Sequence, residues 1–366
     1  MDRVRIGDIC EILNGFAFKS ENYVESGMRI IRIANVQKGY IEDSAPVFYP
    51  KNEKGIEKYR LESGDLLMSL TGNVGRVAIL TDEYLPAALN QRVACLRMKT
   101  DRVSKGYLFH ILNSNFFEDQ CIQAAKGVAQ KNMSTEWLKE YEIPLFPKSK
   151  QTKIVSILDN VSSVITKRQQ QLSDLDDLIK ARFVEMFGDP ICNTHKLSTK
   201  ELKDVLALKA GEFTASSDIA DKPTETNKYP CYGGNGIRGY VADYNQEGEY
   251  SLIGRQGALS GNVQFAKGRF KNTEHALLVS PKTELNAIWL NHLLIRLDLK
   301  RYQTGAAQPG LSVKNLQEIP IIVVSLDKQD VFAEFVAQVN KSKSVIQKSL
   351  DETQLLFDSL MQKYFG

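Results

Sequence analysis

At 366 residues the chain is too long for one ordinary hydrophobic core, so two or more domains are expected. Its 43% hydrophobic and 25% charged residues describe a globular protein. No signal peptide and no apolar run of 18 residues is present, which points to a cytoplasmic chain with no membrane partner. The net charge of +3, from 47 Lys+Arg against 44 Asp+Glu, neither establishes nor excludes nucleic-acid binding. The five cysteines are scattered with no CxxC spacing, so neither a disulfide framework nor a thiolate zinc site is indicated.

Residues 1–148 read as a first mixed globule. Arg29–Val36, Asp65–Leu70, Arg76–Leu80 and Val93–Arg97 carry strand patterns, punctuated by Gly27, Gly39, Gly64 and Gly72. Lys105–Phe117 reads as a helix with Leu108, Ile111 and Leu112 on one face. Ile143-Pro144 and then Pro147 close the globule. Residues 149–188 form a long helix whose seam alternates steps of four and three: Ile154, Leu158, Val161, Ile165, Arg168, Leu172, Leu175, Ile179, Arg182 and Met186. A helix of this length spans about 55 Å. Gly188-Asp189-Pro190 stops it.

Residues 196–326 repeat the plan. Tyr250–Ile253, Asn262–Ala266 and Ala276–Val279 read as strands, Ile288–Leu297 as a helix, and Ile319-Pro320 closes the globule. Residues 327–366 form the second long helix, with the seam Phe332, Val336, Val339, Lys343, Ile346, Leu350, Thr353, Phe357, Leu360 and Tyr364. The duplication is literal in places. Gly127–Ser134 (GVAQKNMS) returns as Gly305–Ser312 (GAAQPGLS), and Phe187-Gly188 returns as Phe365-Gly366 at the same offset. Gln151 and Gln329 open the two helices, and Gly15 has its counterpart in Gly211.

The fold class expected is therefore α+β: two mixed α/β globules joined by two long helices in an antiparallel coiled coil, with an internal pseudo-two-fold repeat. Connectivity favours the antiparallel arrangement. A domain of this size has a radius of gyration of about 14 Å and often brings its termini close together, so it cannot readily bridge the length of a parallel pair. Two heads on one scaffold suit a bipartite target better than one catalytic pocket.

Catalytic signatures are missing. His110, His195, His275 and His292 lie far apart without metal spacing, and neither GxxxxGK[ST] nor GxSxG occurs. Gly233–Gly236 is a Gly-rich turn without the strand–helix context of a dinucleotide cradle. What remains are loops suited to nucleic acid. In the first copy Thr71, Asn73 and Arg76 lie between two strands, Asn90, Gln91 and Arg92 precede another, and Lys126, Gln130 and Lys131 lie in the repeated GVAQKNMS region. In the second copy Arg255, Gln256 and Asn262 match the first loop, Lys271, Thr273 and His275 the second, and Gln308 the third, with Tyr232 and Asn235 in the Gly-rich turn. Arg, Asn and Gln read guanine and adenine edges bidentately, and glycines allow close backbone approach to phosphates. Taken singly, any of these residues is equally a turn former or a solvated side chain. Their recurrence at matched places in both copies favours the DNA reading.

Over its whole length the chain resembles the specificity (S) subunits of type I restriction–modification systems. The resemblance rests on Gly15–Ser20 (GFAFKS), Gly27–Val36 (GMRIIRIANV), Gly64–Leu80 (GDLLMSLTGNVGRVAIL), Tyr229–Tyr240 (YPCYGGNGIRGY) and Leu252–Val263 (LIGRQGALSGNV), in that order within the duplication. It implies two target recognition domains, each reading one half of a split, asymmetric site in double-stranded DNA. The two helices would act as spacer and as dock for two methyltransferase subunits. It implies no catalysis and no cofactor in this chain: S-adenosylmethionine would be on the methyltransferase subunits, and ATP with Mg on a motor–nuclease (R) subunit. The alternatives are the same fold in a methylation-only system, and a protein adaptor that never reads DNA.

Overall fold

The structure is a computed structural model. It describes residues 2–125, 132–257, 259–304 and 310–366. The chain divides into two compact units, Met1–Gln169 with Lys348–Gly366, and Gln170–Gln347.

In the first unit β1 (Arg3–Arg5), the single turn α1 (Ile6–Ile9) and β2 (Cys10–Asn14) are followed by β3 (Met28–Ile31) and β4 (Phe48–Tyr49). Next come β5 (Leu66–Ser69), β6 (Val77–Ile79), β7 (Ala87–Leu89) and β8 (Val93–Met98). α2 (Lys105–Leu112), α3 (Asn115–Ala124), α4 (Thr135–Glu140), β9 (Glu142–Pro144) and the start of α5 (Lys148–Phe187) complete the unit. An antiparallel sheet runs in the order β2-β8-β5-β6, a second sheet in the order β4-β3-β7, and β1 pairs with β9. The main core joins Ile6, Leu66, Leu96, Leu108, Phe117 and Ile143 to Ile154, Leu158, Met361 and Phe365 of the long helices.

Two expectations change here. The strand read over Arg29–Val36 stops at Ile31, because Asn35 Oδ1 accepts from Arg32 N at 2.9 Å and folds the chain back in a turn. The helix read over Lys105–Phe117 is two helices. Ser114 ends the first by donating to Ile111 O at 2.7 Å, and its Oγ caps the second by accepting from Phe117 N at 3.1 Å.

The second unit contains the end of α5, β10 (Thr199–Glu201), α6 (Leu202–Val205), β11 (Leu206–Ala210), β12 (Tyr229–Gly233) and β13 (Gly236–Val241). β14 (Gln246–Gly254), β15 (Val263–Asn272), β16 (Ala276–Pro281), α7 (Ala287–Arg296), α8 (Val313–Gln317), β17 (Pro320–Ile322) and the start of α9 (Leu326–Phe365) follow. Its main sheet runs β11-β16-β14-β15-β12-β13, and β10 pairs with β17 as β1 does with β9. β14 and β15 are longer than their apolar pattern suggests. Their outer halves are charged, with Glu247 opposite Arg269 and Glu249 opposite Lys267 as cross-strand ion pairs at 3.1 and 2.7 Å.

Within each unit α5 and α9 pack antiparallel, and every seam position read from the heptads is buried or half-buried. Each polar seam residue has a partner on the facing helix. Arg168 donates to Ser349 O at 2.5 Å and to Thr353 Oγ1, Lys343 pairs with Asp176, and the Arg182 guanidinium lies 5.7 Å from the Phe335 ring centre. Phe183 and Phe187 are also fully buried, so at this end the apolar stripe is wider than an a/d seam.

The repeated glutamines tie each long helix to its own globule. Gln151 Oε1 accepts from Ser104 N and Gln329 Oε1 from Asn286 N, both at 2.9 Å, just ahead of α2 and α7. Both are buried, and their amide nitrogens donate to backbone carbonyls of the entering chain, Phe146 O and Val324 O.

His110 and His292 fall on the core faces of α2 and α7. His110 Nε2 lies 2.8 Å from Asp159. Burial, reinforced by the charge of Arg296, pushes the His292 imidazole down to about 4. An unfolded chain takes up this proton near pH 6.5, so the stabilisation is present above that pH and is lost as pH falls from 6.5 through 4. The loss is on the order of 2–3 kcal/mol. Amide-exchange protection of α7 should fall between pH 6.5 and 4.5 in the wild type and fall less in His292→Leu. An equal decline in both would remove His292 as the cause.

Candidate nucleic-acid interface

The notable geometry is at the loop end of each main sheet, where segments far apart in sequence are stitched by backbone hydrogen bonds. In the first unit the loop after β5 meets the residues before β8: Leu70 N donates to Arg92 O at 3.0 Å. The segment before α4 joins them, with Met133 N donating to Leu70 O at 2.9 Å and Thr71 bridging Asn132. The chain after β2 closes the group through Phe16 N to Leu89 O and Gln91 N to Phe16 O.

The second unit builds the same frame from different residues. Arg255 N donates to His275 O at 3.1 Å, Leu311 N to Arg255 O at 2.9 Å, and Gln256 bridges Gly310. Glu212 N donates to Asn272 O and Glu274 N to Glu212 O. The turn within the first loop corresponds too: Ser69 N to Arg76 O matches Gly254 N to Asn262 O. By these bonds Arg255 stands where Leu70 does, Gln256 where Thr71 does, Asn262 where Arg76 does, Thr273 where Asn90 does, and His275 where Arg92 does.

Two glycines permit this stitching. A Cβ on Gly15 would lie 2.2 Å from Asn90 O, and one on Gly211 would lie 2.2 Å from Asn272 O. In both cases the obstacle is backbone and cannot swing away.

The sequence-derived candidates separate into three kinds. Asn73, Gln91, Arg92, Asn235 and Gln256 are exposed, and Thr71, Asn90, Arg255, Asn262 and His275 are half-buried on the same loops. Neither Arg92 nor Arg255 has a side-chain hydrogen bond or ion pair among the described residues. Arg76 is half-buried and donates to Gln37 Oε1, which fixes its guanidinium.

Tyr232, Lys271 and Thr273 differ from expectation, because they belong to the frame itself. Thr273 is fully buried and donates to Tyr232 O at 2.8 Å, while the Tyr232 ring packs on Phe270 at 5.4 Å. Lys271 is buried, pairing with Asp243 at 2.8 Å and Glu212 at 2.9 Å. These carboxylates hold its ammonium above the usual lysine range, and an ammonium so engaged is not free for a phosphate. Lys126, Gln130, Lys131 and Gln308 lie outside the described residues.

Two further residues at these loops were not singled out from the sequence. Gln37 reaches Arg76 from a turn some 40 residues away in the chain, a contact no local pattern encodes. Phe213 follows Glu212 at the frame and is 79% exposed. An aromatic in a strand-rich stretch reads as core, yet its position after the anchor Gly211, as Ala17 follows Phe16 after Gly15, was a usable signal.

Among the described residues no group of three or more His, Cys, Asp or Glu is placed to hold a metal ion. Nor is any described helix long and apolar enough to cross a membrane.

The duplicated frame has known relatives. A family model for the type I restriction modification DNA specificity domain matches residues 1–174 and again 195–353. The chain is 32% identical over 303 residues to the type I restriction enzyme EcoprrI specificity subunit of Escherichia coli, covering 76% of this chain and 74% of that one. Its fold is similar to that of a type I restriction–modification S subunit from M. genitalium, with a TM-score of 0.62 at 17% identity, covering 100% and 96% of the two chains. A chain from a structural study of complex assembly in the type I R-M system gives a TM-score of 0.57 at 17% identity, covering 100% and 97%. With the family's domain found twice, once on each copy of the repeated frame, the chain belongs to the DNA specificity subunits of type I restriction–modification systems.

Proposed function

We propose that the two loop frames are DNA-reading surfaces, each taking one half of a bipartite, asymmetric site. The observation that carries this is the duplication of one backbone frame with different side chains on it: Thr71, Arg76 and Arg92 in one copy, Gln256, Asn262 and His275 in the other. A common frame gives both globules the same approach to a duplex, and different side chains give different bases. On this reading residues 1–148 and 196–326 are the target recognition domains. Residues 149–188 and 327–366 are the helices that set the spacer and dock two methyltransferase subunits. The chain itself performs no chemistry. S-adenosylmethionine would be held by the methyltransferase subunits, and ATP with Mg by the motor–nuclease subunits. The near-neutral charge of +3 fits a subunit whose partners supply much of the phosphate contact.

The test is a genome-wide map of methyladenine in cells carrying the neighbouring methyltransferase, with and without this chain. A split motif that disappears without the chain supports the reading. Methylation that is unchanged rejects it and leaves the protein-adaptor alternative.

Arg92 allows a finer test. Its exposed guanidinium is free to reach a guanine edge, so Arg92→Ala should cost about 1–3 kcal/mol of discrimination at one position of one half-site. Competition binding against duplexes varied at each position measures this. A uniform loss on every duplex would instead identify a phosphate contact.

A further inference from the structure

Gln256 has an exposed side chain on an unusually well-held backbone. Its neighbour Arg255 is bonded on both sides, to His275 O and from Leu311 N, and Gln256 itself bridges Gly310. The turn between β12 and β13 presses on the same place. A Cβ on Gly234 would lie 3.1 Å from His275 O and 3.6 Å from the Gly254 Cα. The side chain is held as well: His275 Nδ1 is 2.9 Å from Gln256 Oε1, while His275 Nε2 is 3.1 Å from Glu274 Oε1. Beside them Asn262 Nδ2 donates to Asn235 Oδ1 at 2.8 Å, so a second amide is fixed in the same cluster.

An exposed glutamine ordinarily has to give up its rotamer freedom when it binds. With a proton on Nδ1, the imidazole donates to Oε1 and holds it. That leaves the two Nε2 protons and one Oε1 lone pair, a donor beside an acceptor. In the major groove adenine offers the complement, acceptor N7 beside donor N6, whereas guanine offers two acceptors and would leave Oε1 unmatched.

We propose that Gln256 is a specificity-determining residue that reads an adenine in the half-site taken by the second globule, with His275 as the positioning residue that fixes its amide. This rests on the DNA-reading function proposed above.

The experiment uses the assembled complex of this chain with its methyltransferase. The probes are short duplexes carrying the mapped motif, with every base pair of the second half varied in turn. The wild type should prefer A·T at one position by roughly tenfold to a hundredfold. Gln256→Ala and His275→Ala should each lose most of that preference at that same position, while the other positions of the half-site are still discriminated. His275→Asn, whose side-chain N–H can take the place of Nδ1–H, should restore much of it. That rescue separates positioning from a general folding defect.

Preference lost at different positions, at a position that is not A·T, or equally on every duplex would overturn the assignment. So would two variants that discriminate as the wild type does. If the wild-type complex itself shows no preference in either half, the DNA-reading function falls, and this assignment with it.

Discussion

Phe332→Ala will cost the second unit about 3–5 kcal/mol, the range for removing a large aromatic from a packed core. Phe332 is fully buried at the point where α9 enters the unit. Its ring meets Phe183 at 5.4 Å, Phe187 at 5.8 Å and His292 at 5.4 Å, all edge-on. The first two are on α5 and the third is on α7, so one side chain joins both long helices to the globule. Truncation opens a space that three different elements would have to close together. Native-state hydrogen exchange should show lost protection in α7 and in the first turns of α9. A change below about 1 kcal/mol would mean that these aromatics repack around the gap, and that the junction is not specifically packed.

Gly211→Ala should be destabilising by about 1–3 kcal/mol or more, as expected where an added methyl meets atoms that cannot move. The new Cβ would lie 2.2 Å from Asn272 O and 2.6 Å from Thr273 O. The segment running from Asn272 to His275 must therefore shift or the chain at Glu212 must detach. Either breaks the Glu212 N to Asn272 O and Glu274 N to Glu212 O bonds that hold the second loop frame. The functional consequence should be one-sided: the half-site read by the second globule degrades while the other half is still selected. A methyladenine map of cells carrying the variant tests this. If both halves of the motif persist unchanged, the frame at Gly211 has no part in recognition.

The repeat alone did not reveal the two loop frames. Gly15 and Gly211 are visible as matched glycines, but nothing adjacent in sequence says that the oxygens of Asn90 and Asn272 lie against them. The same holds for Lys271 and Thr273. On composition both suit DNA contact. In the fold Lys271 is occupied by Asp243 and Glu212, and Thr273 is buried with its hydroxyl donating to Tyr232 O. The carboxylates that occupy Lys271 are 28 and 59 residues away from it, beyond any local pattern.

The sequence by itself determined the duplication, the two long helices and their seams, and the family. A heptad seam is legible because helical neighbours three and four residues apart share one environment, so burial is written as a period. The end of α5 is also legible, since Gly188 with a φ of +72° leaves the helical region. Only the tertiary structure decided which polar residues face outward. The Leu70–Met133 and Arg255–Leu311 bonds join segments with no common period, and exposure at the loops depends on those non-local bonds. It also decided which partners the polar seam residues meet, as Arg168 meets Thr353, because the register between two helices is set by both chains of side chains at once.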